Sequence, residues 1–253
     1  MKRLFSVSLV ALIALSMIFS ACSNSSKTST TPTTTYIIAT DATWAPFEYV
    51  NDQNQIVGFD IDLMNAIAQS AGIQIQFQNV PFDPLLAGMA QGTYDAAISS
   101  ITITDERAKS MLFSDPYYVA GQMIVVQKNN TSITGEGSLK GKKLGAQLGT
   151  TGESLAQGID GATTKSYDQI GLAIQDLLNG QLDAVICDTP IANSYVSKNA
   201  SALKIVGNAL TTENYGIAVA KGKNDLLNKI NQGLAAVKAK GTIDTLVTKW
   251  LTS

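Results

Sequence analysis

Gln91-Gly92-Thr93-Tyr94-Asp95-Ala96-Ala97-Ile98 and Asn179-Gly180-Gln181-Leu182-Asp183-Ala184-Val185-Ile186 are two versions of one pattern, 88 positions apart at their glycines. In each, a helical stretch stops at Gly, Asp-Ala follows, and a short apolar run opens toward polar residues. Those residues are Ser99-Ser100 in the first copy and Cys187-Asp188 in the second. Glycine ends helices because it enters the left-handed backbone region without a steric penalty. A brief apolar run bounded in this way reads as a buried strand. Before the second copy, Ile170, Ala173, Ile174, Leu177 and Leu178 form one helical stripe. Helix-Gly-strand junctions have this outline in any α/β protein, but its repetition with the Asp-Ala retained predicts two similar lobes.

The same alternation continues outward. Residues 36–40 read as a short buried strand, and 60–71 as a helix with Met64, Ile67, Ala68 and Ala71 on one face; 73–77 alternates apolar and polar as a strand does. Strands alternating with helices of this length predict a mostly parallel sheet covered on both faces. Ligands of such sheets bind beyond the carboxyl ends of the strands. Ser99-Ser100 and Cys187-Asp188 are therefore expected to face each other across a cleft.

A chain of 253 residues suffices for two modest domains, each with its own core. It contains no histidine, which excludes Ser-His-Asp and Cys-His catalysis and most zinc sites. The formal net charge of −2 gives no basic field for nucleic acid. Gly149-Thr150-Thr151-Gly152 follows an apolar strand around Leu144 and opens a helix, whose free amides make a ready anion site. A phosphate loop would end in Gly-Lys-Ser/Thr, which is absent, and no cofactor is called for.

The first residues read as an address rather than as fold. Lys2 and Arg3 precede an apolar run at 4–19 that ends in Ser20, Ala21 and Cys22, the outline of a secretory signal. The run is short for a membrane span. A Ser/Thr-rich stretch without apolar periodicity follows at 22–35 and is expected to be a tether. Cys187 is the only other cysteine. If Cys22 is modified, no disulfide is expected.

Three stretches resemble the extracellular solute-binding proteins of polar amino-acid ABC transporters, in the glutamine-, histidine- and arginine-binding branch. They are Gly58-Phe59-Asp60-Ile61-Asp62-Leu63; Ile101-Thr102-Ile103-Thr104-Asp105-Glu106-Arg107 with Phe113-Ser114-Asp115-Pro116-Tyr117-Tyr118; and Asp183-Ala184-Val185-Ile186-Cys187-Asp188-Thr189-Pro190. Tyr215-Gly216-Ile217-Ala218 adds a second crossover, and Phe19-Ser20-Ala21-Cys22 resembles the bacterial lipobox, with Phe19 where leucine is usual. The resemblance implies a type II periplasmic-binding-protein fold of two α/β lobes, with lobe 1 at 36–116 and 216–253 and lobe 2 at 122–210. Hinges are expected at 117–121 and 211–215, and a cleaved leader at 1–21 with lipid on Cys22. It implies a monomer that captures a free L-amino acid by closing like a flytrap, then docks on a membrane permease.

The resemblance also carries site roles. Arg107 stands where the family grips the ligand's α-carboxylate, a task suited to a guanidinium fork that stays charged. Thr102 and Thr151 complete that grip. Ser100 and Asp188 match the groups that meet the ammonium, although an Asp before Thr-Pro is on its own a helix cap. Trp44 and Phe82 match the aromatic pair enclosing the ligand side chain, with tryptophan where tyrosine or phenylalanine is usual. Asp41 matches the contact to its polar end. Gln147 and Cys187 stand where some glutamine binders carry lysine and histidine, and Gln147-Leu148-Gly149-Thr150-Thr151-Gly152 looks more like arginine binders. Arginine is the favoured ligand, then glutamine or lysine. Glu213 is expected to sit solvated in the hinge. An enzyme of the dehydratase or murein-lytic type is one alternative on this fold. A sensory ectodomain, which would carry a membrane helix after residue 253, is another.

Overall fold

The computed structural model describes residues 34–252. The leader, Cys22 and nearly all of the expected tether lie outside the described residues. The first lobe starts with β1 (Thr35–Thr40) and the small antiparallel set β2 (Thr43–Trp44), β3 (Glu48–Val50) and β4 (Ile56–Val57). Next come α1 (Phe59–Ala71), β5 (Gln74–Asn79), α2 (Phe82–Gln91), β6 (Ala96–Ala97), the single turn α3 (Asp105–Ala108) and β7 (Met111–Phe113).

The chain crosses on β8 (Tyr118–Ala120) into the second lobe. That lobe runs β9 (Gln122–Gln127), β10 (Lys143–Gln147), α4 (Thr151–Gly158), β11 (Thr163–Tyr167), α5 (Ile170–Leu178), β12 (Ala184–Asp188), α6 (Thr189–Lys198) and β13 (Leu203–Val206). It returns on β14 (Glu213–Tyr215), which pairs antiparallel with β8, to β15 (Ala218–Ala220), α7 (Asn224–Ala239) and α8 (Thr242–Leu251).

The two sheets have one topology. Their strand orders are β5-β1-β6-β15-β7 and β11-β10-β12-β9-β13. The duplicated motif supplies the middle strand of each, β6 and β12. The helices before them stop at glycines with the same φ of 72°, Gly92 and Gly180, a conformation side chains with a Cβ resist. In each sheet four of the five strands run one way, and one opposes them. β15 and β9 run antiparallel to both neighbours. Each is entered from a crossover at the cleft end and so must run away from it, whereas strands reached through helices run toward it.

Alternation buries both faces of each sheet. In the first, Ile38, Ala96 and Val219 face α1 and α7, while Ala39, Ala97 and Ala218 face α2 with Leu85 and Met89. In the second, Ile124 and Val126 pack with Leu144 and Ala156, and Met123 and Val125 with Ala173 and Leu177. This is the two-lobe fold of type II periplasmic binding proteins.

Candidate ligand-binding cleft

The carboxyl ends of the central strands meet as the duplication predicts. Asp41 follows β1, Ser99 and Ser100 follow β6, Gln147 ends β10 and Asp188 ends β12. A narrow cavity lies between them. All nine residues singled out as ligand contacts line it: Asp41, Trp44, Phe82, Ser100, Thr102, Arg107, Gln147, Thr151 and Asp188; Ser99 and Thr150 join them.

The lobes touch across this cavity. Arg107 Nη2 donates to the Gly149 carbonyl at 2.9 Å, and Nη1 to the Thr102 carbonyl at 2.8 Å. Its guanidinium lies 5.6 Å from the Phe82 ring centre. Of five N–H donors two are thus engaged, which leaves the rest for an anion. Burial pulls the Arg107 pKa down, but Asp188 and Glu213 oppose that shift and it remains a cation. Among the described residues Arg107 forms no ion pair, and its neighbour Glu106 pairs with Lys109 at 2.5 Å. Gly149 keeps a φ of 78°, and a Cβ there would stand 3.2 Å from the Asp83 carboxylate of the facing lobe. Thr150 caps α4 by accepting from the Glu153 N–H, and the Thr151 and Gly152 amides that precede it stand at the helix start, where an anion is favoured.

Asp188 is the N-cap residue of α6, yet its side chain makes no cap bond. It accepts from Gln122 Nε2 at 2.8 Å and from the Tyr215 hydroxyl. Burial pushes its pKa up to about 6 against those two donors; Glu213 adds to the rise and Arg107 opposes it. Also lining the cavity, Asp41 accepts at Oδ2 from Gln147 Nε2 at 2.7 Å across the cleft and at Oδ1 from Thr43 Oγ1 at 2.9 Å. Burial raises Asp41 as well. Three cavity-lining groups are buried without a partner among the described residues: Gln147 Oε1, Ser100 Oγ and Trp44 Nε1. Buried polar atoms of this kind call for an outside partner.

Behind the cavity, the Gly58-Phe59-Asp60 signature has a visible task. Asp60 Oδ2 accepts from the Ser100 N–H at 2.7 Å and from Tyr117 Oη at 2.8 Å, and Ser100 is held at a φ of 48°, unusual for a residue with a Cβ. Ser99 Oγ donates to Glu48 at 3.1 Å and accepts the Asp41 N–H at 2.9 Å. Burial, with Asp60 close by, pushes Glu48 well up; burial also raises Asp60 to about 6, against the hydrogen bonds from Ser100, Tyr117 and Glu48.

Glu213 is not solvated: it is buried, and accepts from Thr102, Thr151, Gln122 and Thr211. Its signal was the alternation of β14, which turns Glu213 and Tyr215 inward and Asn214 outward. Gln122 gives no signal of its own because four apolar residues, Met123 to Val126, follow it in its strand. Cys187 lies buried beside Asp188 and does not line the cavity; desolvation drives its thiol pKa far up.

Two lobes with matching sheets, closed over a cavity with a guanidinium, helix-start amides and two buried carboxyls, define a two-lobe solute-binding protein. The chain belongs to the bacterial extracellular solute-binding proteins, family 3, whose family model matches residues 36–253. A probable histidine-binding protein of Neisseria gonorrhoeae is 34% identical over 249 residues, covering 95% of this chain and 93% of that one. An ancestral arginine-binding protein bound to arginine is 43% identical, with a TM-score of 0.80 over 85% of this chain and 97% of its own. An ancestral arginine-binding protein bound to glutamine is 42% identical, with a TM-score of 0.79 over 87% and 98%.

Proposed function

We propose that this protein captures a polar or basic L-amino acid, arginine foremost, for a membrane permease of an ABC importer. The observation that carries the reading is one cavity with Arg107 and Asp188 from facing lobes and a second carboxylate, Asp41, hydrogen-bonded to Gln147 and Thr43 rather than to either. An amino-acid zwitterion needs the first two. Arg107, with the Thr102 and Thr151 amides, would hold the carboxylate, and Asp188, with Ser100, the ammonium. Asp41 and Gln147 Oε1 are acceptors for a side chain that donates, and Trp44 and Phe82 offer aromatic faces to a flat cation. In this reading lobe 1 binds first, and closure about the crossovers at 117–121 and 211–215 brings Gln147, Thr151 and Asp188 onto the ligand while excluding water. The residues transfer no group: the cavity carboxyls serve to match ligand charge. The mature chain would be exported, hold to the membrane through lipid on Cys22 and act as a monomer.

The unpartnered Trp44 indole N–H favours glutamine as a second reading, because an amide oxygen could accept from it. A thermal-shift screen of the twenty amino acids separates the two. Ligand at about 100 times its dissociation constant adds about 2.7 kcal/mol of stability. Arginine is expected to raise Tm most, with glutamine or lysine next and aspartate and glutamate inert; the largest shift from glutamate would sink the proposal.

A further inference from the structure

The crossover carboxylate, Glu213, has no counterpart among the ligand-matching roles, yet it gathers more donors than any residue assigned to the ligand. Its Oε2 accepts from Thr102 Oγ1 and from Thr151 Oγ1, each at 2.8 Å, and from Gln122 Nε2 at 3.3 Å. Thr102 follows β6 in one lobe, and Thr151 opens α4 in the other. Two hydroxyls that both reach one oxygen cannot be far apart, so this arrangement exists only when the lobes are closed. Oε1 accepts from Thr211 Oγ1 at 2.8 Å, and that hydroxyl accepts the Gln122 N–H at 2.9 Å. Thr211, in the same crossover, and Gln122, which opens β9 just after the other, are thereby tied to the same carboxylate.

We propose that Glu213 is the latch of the closed cleft: it joins the lobes through Thr102 and Thr151 and turns their hydroxyls away from the ligand, leaving their backbone amides to face it. The inference rests on the capture reading above. Hydroxyl donors to a buried carboxylate are among the stronger hydrogen bonds. On opening, one lobe's donor is exchanged for water, so the latch slows opening more than it affects encounter. Gln122 extends it, because the same Nε2 also donates to Asp188 and couples the latch to the ammonium end of the cavity.

The rival role is a static brace of the crossovers through Thr211 alone. The test uses Glu213→Ala, Glu213→Gln and Thr151→Val. Stopped-flow rates are measured for L-arginine, or for whichever amino acid shifts Tm most, and small-angle scattering follows closure. Losing a hydrogen bond to a charged group is expected to speed dissociation by about tenfold, with association changed by less than about threefold. Glu213→Gln should fall between, since its amide keeps one acceptor oxygen. Thr151→Val should reproduce the faster release, although it leaves the Thr211 contact intact, and should add little to Glu213→Ala. A brace predicts a lower ligand-free Tm and no effect of Thr151→Val on release. If the wild type binds and closes but the variants release at its rate, or if the two effects simply add, the latch is wrong. If the wild type binds no amino acid, the capture reading falls and takes the latch with it. Should Glu213→Ala not fold, the other two variants carry the comparison.

Discussion

Asp41→Asn isolates the charge on which ligand selectivity turns. Asp41 is buried, and both of its oxygens are already anchored, to Thr43 and Gln147. Asparagine has the same size and keeps one acceptor, so the cavity should hold its shape. A guanidinium about 4 Å from the carboxylate, at an effective dielectric of about 20, interacts with it by about 4 kcal/mol. Close charge pairs in protein interfaces have coupling energies of about 1.5–7 kcal/mol. Asp41→Asn should therefore cost arginine about 2–4 kcal/mol, a factor of about 30 to 1,000 in Kd. Citrulline has nearly the same outline without the charge. It should lose only the worth of one neutral hydrogen bond, about 0.5–1.5 kcal/mol. Calorimetric titration of both ligands into both proteins measures the difference directly. At the middle of both ranges, about 3 against about 1 kcal/mol, the preference for arginine over citrulline should fall about thirtyfold. If both ligands weaken by the same factor, Asp41 supports the cavity without reading ligand charge, and the argument for a cationic side chain fails.

Arg107→Ala should weaken amino-acid binding by about thirtyfold or more, since it leaves a desolvated carboxylate unpaired, while ligand-free Tm changes little; unaltered calorimetric affinity would contradict its role. The pH dependence follows from Asp188, pushed up to about 6 in the free protein. The ammonium needs it ionised, so acid competes with ligand: affinity should be flat above about pH 7 and fall by up to about tenfold per unit below pH 6. Asp188→Asn should bind more weakly and flatten that fall, and a wild-type profile level down to pH 5 would refute the assignment. Cys22→Ser should release the protein from membranes in cell fractionation; a variant still membrane-bound after removal of the leader would rule out the lipid anchor.

Much of this molecule is set by local pattern. The duplicated helix-Gly-Asp-Ala-strand motif marks the centres of both sheets, because chain reversal at a left-handed glycine and burial of an apolar run are decided within a few residues. Carboxyl-end geometry then places Ser100 and Asp188 at the cleft, and matching positions in a known family extended the set to all nine cavity-lining residues singled out.

What only the tertiary structure decided is the partnership of each polar group. Asp188 reads locally as a helix cap, but in the fold it turns from its own helix to Gln122 and Tyr215. Glu213 reads as a solvated hinge carboxylate and is instead enclosed by donors from both lobes, 62 residues from Thr151 and 111 from Thr102. Hydrogen bonds across such separations leave no periodic trace in a sequence, because they depend on how two closed lobes meet rather than on the spacing within either. The same is true of the antiparallel β9 and β15: their direction follows from where the chain re-enters each sheet, which is a property of the crossover and not of the strand's own residues.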